Sequence, residues 1–190
     1  LFLIGLGMIY GSVGSLNMTD VARLMPLLEP AEQRLAVAGG LMLFVVFGIK
    51  AAMLPVGFWL PKTYAVAATP VAAFFTIMTK VGIYAILRIN GTVFDDPLSH
   101  SILAPWLLTI GLITSLYGAI AALGAERLRR FVGFMILSSV GTILVAIAML
   151  NPQAWAGALY YMLHSTLIAA ALYLMGGWIT SQRGEFKDHL

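Results

Sequence analysis

The sequence predicts an all-α polytopic membrane protein, and three observations carry that expectation. Of the 190 residues, 61% are hydrophobic and only 10% charged, whereas soluble domains run at about 45–50% and about 25%. The apolar residues fall in runs close to the ~20 residues that a helix needs to cross the hydrocarbon core. Those runs are continuous rather than alternating, which separates helices from the strands of a membrane barrel. A net charge of +3 spread over loops between spans is a topology signal, so nucleic-acid binding is set aside. With no cysteine in the chain, disulfides, thiolate metal sites, cysteine-ligated iron–sulfur clusters and thiol catalysis are excluded. No cofactor and no metal site are expected.

Residues 1–190 read as a single transmembrane domain of about six helices. The first span, Leu1 to about Gly14, is short and opens without an initiator Met or a basic n-region, so it is not a signal peptide. A piece of a larger protein is therefore expected. The segment from Ser15 to Arg34 carries Asp20, Arg23, Glu29, Glu32 and Arg34 with Pro26 and Pro30, and reads as interfacial. The second span runs from Leu35 to Leu60 and should break near Pro55, where the ring removes a helical donor and crowds the preceding turn. The third starts at Thr69-Pro70, where Thr can cap and Pro suits the first turn, and ends near Asn90. The fourth (Leu103 to Leu123) and fifth (Phe131 to Leu150) carry no charge, and the sixth, Ala154 to about Ser181, contains His164. Trp59, Trp106, Trp155 and Trp178 fall near span ends, as interfacial anchors do.

Because loops alternate sides, the basic residues can be sorted. Arg23, Arg34 and Arg88 share one side, while Lys62, Arg127, Arg129, Arg130, Arg183 and Lys187 share the other. The positive-inside bias places the second group in the cytoplasm of a multi-pass cell-membrane protein, with Asp95 and Asp96 outward.

Two basic residues remain, Lys50 and Lys80, both inside spans. Lys80 lies ten residues from both Pro70 and Asn90, about 15 Å of helical rise from either end. Its side chain cannot snorkel to water over that distance, and a lysine at that depth costs about 2.5–3.5 kcal/mol on insertion scales. Such residues face a bundle interior or a hydrated cavity. Burial disfavours the charged form, so an amine at this depth is suited to taking up and releasing a proton; the other reading is a lysine that bonds carbonyls and fixes packing. Lys50 precedes Pro55 by five residues, and discontinuous helices are a recurring way for transporters to make ion sites. A packing kink is the other reading of that proline. His164 could relay protons as neutral imidazole or serve as a packing residue. Thr76, Thr79, Ser138, Ser139, Ser165 and Thr166 add hydroxyls, expected mostly to bond their own helix backbone. Gly5, Gly7 and Gly11, and the pairs Gly39-Gly40 and Gly176-Gly177, are expected at close helix crossings. Asn17-Met-Thr19 and Asn90-Gly-Thr92 match the glycosylation pattern.

The runs Phe47-Gly-Ile-Lys50-Ala-Ala-Met-Leu-Pro55-Val-Gly-Phe-Trp-Leu-Pro61 and Thr79-Lys80-Val-Gly-Ile-Tyr-Ala-Ile-Leu-Arg88, with Gly157-Ala-Leu-Tyr-Tyr-Met-Leu-His164, resemble the antiporter-like membrane subunits shared by respiratory complex I and Mrp-type cation/proton antiporters. Within that superfamily the wording is most similar to the D subunits of multisubunit Na⁺(K⁺)/H⁺ antiporters. Ser138-Ser139-Val140-Gly141 stands where complex I relatives often carry Ser-His-Met-Gly, which favours the antiporter and removes one relay histidine. The resemblance implies a fourteen-helix fold with inverted repeats, of which this chain holds the sixth to eleventh helices. It further implies that Lys50 pairs with a glutamate outside the chain, that Lys80 is the central proton carrier and that His164 lies on the same hydrophilic axis. The implied function is proton translocation coupled to Na⁺ or K⁺ exchange, with other complex subunits, the bilayer and the ions as partners and no covalent chemistry. A proton-pumping subunit of complex I or of a membrane-bound hydrogenase is the alternative. A scaffold that only packs partner subunits is a third class, which would tolerate loss of both buried lysines.

Overall fold

A computed structural model describes residues 1–93 and 97–183. Asp95, Asp96 and Lys187, and the side chain of Arg183, lie outside the described residues. The chain folds as helices α1 (Phe2–Val13), α2 (Met18–Leu24), α3 (Pro30–Ala51), α4 (Trp59–Val66), α5 (Thr69–Thr92), α6 (Pro97–Leu123), α7 (Leu128–Ala148) and α8 (Pro152–Arg183), with a one-turn 3-10 helix at Met25–Leu27. Among the described residues, α3, α5, α7 and most of α6 and α8 are long and apolar enough to cross a membrane. A sixth span results if α1 and the bent segment Met18–Leu27, 50° off its axis, count as one. The expected all-helical membrane fold is therefore present.

The interfacial segment is itself partly helical. Asn17 caps α2 by accepting a hydrogen bond from Thr19 N at 3.2 Å, which gives the first glycosylation-like match a structural role. Asn90, of the second, is buried within α5. At the start of α5 the expected Thr69 cap is absent. The N-cap is Ala68, and Thr69 and Pro70 are already helical, because a proline fits the first turn without a capping side chain.

Helices meet where side chains are small. A Cβ built on Gly5 would lie 3.0 Å from Gly39 O, and one on Gly39 would lie 2.8 Å from Gly5 O, so α1 and α3 cross backbone to backbone there. Gly118 against Ser138 and Gly141 against Ser115 do the same for α6 and α7. A Cβ on Gly7 or Gly11 would meet nothing within 4 Å, so these two glycines are not at a crossing, contrary to expectation. Helix α7 lies at the centre, packing against α4, α5, α6 and α8. Its Val132, Ile136, Leu137, Val140, Ile143, Leu144 and Ile147 belong to the main core.

The second expected span is two helices. Helix α3 ends at Ala51, Ala52 takes a left-handed conformation (φ 60°), and α4 begins at Trp59. The break thus starts before Pro55. A proline leaves the carbonyl four residues earlier without its donor and crowds it; that residue is Ala51, the last of the helix.

Candidate functional site

The buried face of α5 repeats every three or four residues through Ala73, Thr76, Lys80, Ile83, Leu87 and Asn90. Lys80 is 4% exposed. Its Nζ donates to Ser139 Oγ on α7 at 2.5 Å, and that hydroxyl donates to Ile136 O at 2.7 Å. Thr76 and Thr79, on the same stretch of α5, donate to Ala73 O (2.7 Å) and Thr76 O (3.0 Å), as expected of hydroxyls within a helix. Among the described residues the carboxylates lie in loops or at helix ends, the nearest to a span interior being Glu32 in the first turn of α3. The ammonium therefore sits at the middle of a span against a hydroxyl and not against an acid.

Ser139 also lines a cavity of about 240 Å³ between α7 and α8, together with His164, Tyr161 and Ser165. The imidazole of His164 is exposed and stacks on Tyr160, with centroids 6.3 Å apart and planes 12° apart. Ser139 thus touches Lys80 on one side and shares a cavity with room for several waters with His164 on the other. Ser165 and Thr166 donate to Met162 O, so they follow the backbone-bonding expectation.

Lys50 lies in the last turn of α3, beside the break, where a cation is favoured by the helix dipole. Its side chain is exposed rather than buried, because it stands on a face of α3 that no other described helix covers. No hydrogen bond joins it to Lys80 or His164 among the described residues. The break itself is held from three directions. Met53 N donates to Gly48 O (3.0 Å) and Ala52 N to Ile49 O (3.1 Å). Trp59 Nε1 reaches back to Ile49 O (3.3 Å), and Leu54 N donates to Thr114 Oγ1 on α6 (3.1 Å). Two contributors escaped the sequence reading: Ser139 as the partner of Lys80, and Thr114 as the acceptor for the broken backbone. A hydroxyl within an apolar helix, Ser139 beside Ser138 and Thr114 beside Ser115, was the available signal in each case.

An antiporter-like bundle with a broken helix and a buried central lysine is the class that this geometry defines. Residues 1–189 match the family described as NADH:quinone oxidoreductase/Mrp antiporter, TM, and the chain belongs to that family. It is 42% identical over 177 residues to the probable D subunit of a K(+)/H(+) antiporter of Rhizobium meliloti, covering 92% of this chain and 33% of that protein. It is 33% identical over 192 residues to the D subunit of the Na(+)/H(+) antiporter of Bacillus subtilis, covering 100% of this chain and 38% of that one. Among solved structures, the Mrp complex from Dietzia sp. DQ12-45-1b superposes with a TM-score of 0.81 at 31% identity, over 94% of this chain and 32% of the matched one. An archaeal membrane-bound sulfane sulfur reductase, at TM-score 0.86 and 24% identity over 94% and 36%, shares the fold. The chain spans about a third of the length of these curated relatives.

Proposed function

We propose that this chain is the central membrane segment of a D-type subunit in a multisubunit antiporter that exchanges Na⁺ or K⁺ for protons. In that reading it is a transporter subunit and not an enzyme, and its partners are the companion subunits, the bilayer and the exchanged ions. Lys80 carries the proton, His164 passes it on, and Lys50 gates entry through a carboxylate supplied from outside the segment, with the break before Pro55 admitting water beside it. The side bearing Lys62, Arg127, Arg129, Arg130 and Arg183 faces the cytoplasm.

The observation that carries the reading is the Lys80 ammonium at mid-span, held by the Ser139 hydroxyl at 2.5 Å beside the His164 cavity. A serine hydroxyl has one donor and two acceptor positions. While Lys80 is charged, Ser139 accepts from Nζ and donates to Ile136 O. As Nζ gives a proton to the hydroxyl oxygen, the hydroxyl turns from Ile136 O and gives its own to water in the cavity, which passes one to His164, leaving a neutral amine, an intact hydroxyl and a protonated imidazole. No bond other than O–H and N–H is made or broken.

The test uses the intact complex in everted vesicles. Lys80→Ala abolishes cation-dependent proton exchange at normal subunit levels. Lys80→Arg also fails, because a guanidinium does not release its proton at physiological pH. Unchanged exchange by either variant at equal expression overturns the carrier role.

A further inference from the structure

The end of the bundle where α4, α6 and α7 meet carries a second cavity, of about 520 Å³, with no part in the proton path. Its charged lining is Lys62 from α4 and Arg127 and Arg130 at the start of α7, with Glu126 beside them. Three cations against one carboxylate leave an excess of positive charge. The backbone adds to it: Arg127 is the N-cap of the 21-residue α7, no side chain caps that helix, and its first turn holds no acid. Basic groups at a helix N-terminus oppose the dipole, so all these features favour the same occupant, an anion. Arg129 is already committed, since its guanidinium donates to Ala67 O. Arg130 lies over the Phe134 ring one turn further along α7, 5.9 Å from the centroid, and lines the cavity from there.

The apolar surroundings narrow the anion. Val66, which lines the cavity, is 84% exposed, and Leu123, one residue before Gly124 of the lining, is 89% exposed. A free phosphate ion has no use for such a wall, whereas a phospholipid presents a phosphate joined to apolar chains at the depth where spans end. We propose that this cavity binds the headgroup of an anionic phospholipid, its phosphate against Lys62, Arg127 and Arg130 and its acyl chains along Val66 and Leu123.

The experiment replaces Val66 by the photoreactive p-benzoylphenylalanine in the full complex, reconstituted in phosphatidylcholine with or without phosphatidylglycerol. Crosslinking to phosphatidylglycerol in preference to phosphatidylcholine is expected, without displacement by excess inorganic phosphate. Combining it with Lys62→Gln, Arg127→Gln and Arg130→Gln, singly and together, should weaken the preference by about fivefold per charge removed. Crosslinking to a protein chain would show a companion subunit on this face and overturn the proposal. Equal capture of the two lipids, competition by free phosphate, or a preference that survives removal of the charges would overturn it as well. The single variants keep the test decisive if the triple variant does not assemble.

Discussion

Lys80 and Ser139 meet because two helices present complementary groups at one depth, and the pairing can be probed one atom at a time. Removing the hydroxyl with Ser139→Ala leaves the Nζ donor buried without its acceptor, a loss of about 1.5–3 kcal/mol for a hydrogen bond to a charged group. If Ser139 passes the proton, exchange in vesicles falls by roughly 10-fold to 100-fold, while Ser139→Thr, which keeps the hydroxyl, retains most of it. Equal rates for the two variants would leave Ser139 with packing alone. The depth of Lys80 was legible in the sequence because hydropathy and helical rise locate a charge along the membrane normal. Its partner was not, since the rotation of α7 about its own axis depends on contacts with four other helices that no run of letters displays. Asn90 shows the same limit: its glycosylation-like pattern is local, and its burial on the Lys80 face is set by packing.

The break between α3 and α4 is maintained by neighbours as much as by its proline. Thr114 accepts from Leu54 N and donates to Ile110 O at 2.6 Å, so it ties the loose backbone to α6. Thr114→Val keeps the shape and removes the acceptor, leaving a buried N–H unpaired at a cost of about 1–3 kcal/mol. Thermal unfolding of the purified complex should show the loss, and an unchanged midpoint would mean that another group satisfies Leu54. Gly82→Ala is expected to be as damaging, because its Cβ would sit 2.8 Å from Ala51 N and 2.9 Å from Phe47 O, both backbone atoms that cannot swing aside. The sequence announced the break but misplaced its start, since the ring acts on the carbonyl four residues back. Helix ends were otherwise legible to within a turn or so, except at Pro30, where charged Glu32 and Arg34 disguised the first turns of α3 as loop, and at Pro97, where α6 begins six residues before the expected Leu103.

For the molecule in its membrane, the six-to-three division of basic residues makes a directional prediction. Helix α7 is flanked by Ala125 in one turn and Asn151 in the next, at opposite ends of one span. Since the segment has no cysteine of its own, Asn151→Cys should react with an impermeant maleimide in intact cells and Ala125→Cys should not. The reverse pattern would invert every span and place Lys62, Arg127, Arg129 and Arg130 outside. The family and the helical class were legible from composition and from the wording around Lys50 and Lys80. The exposure of Lys50 was not, because it depends on which helices pack against the end of α3. The seat of Gly82 on the last turn of α3 joins the two backbones that bear the lysines. It lies two residues from Lys80 on one helix and touches Ala51, next to Lys50, on the other. No wire of hydrogen bonds joins the two amines among the described residues, yet the backbones between them are in contact with no side chain to cushion the joint. Any rolling or sliding of α5 that carries the Lys80 amine toward a different partner must displace the turn that bears Lys50. The two charges are linked as the ends of a lever are, by a rigid fulcrum and not by a current.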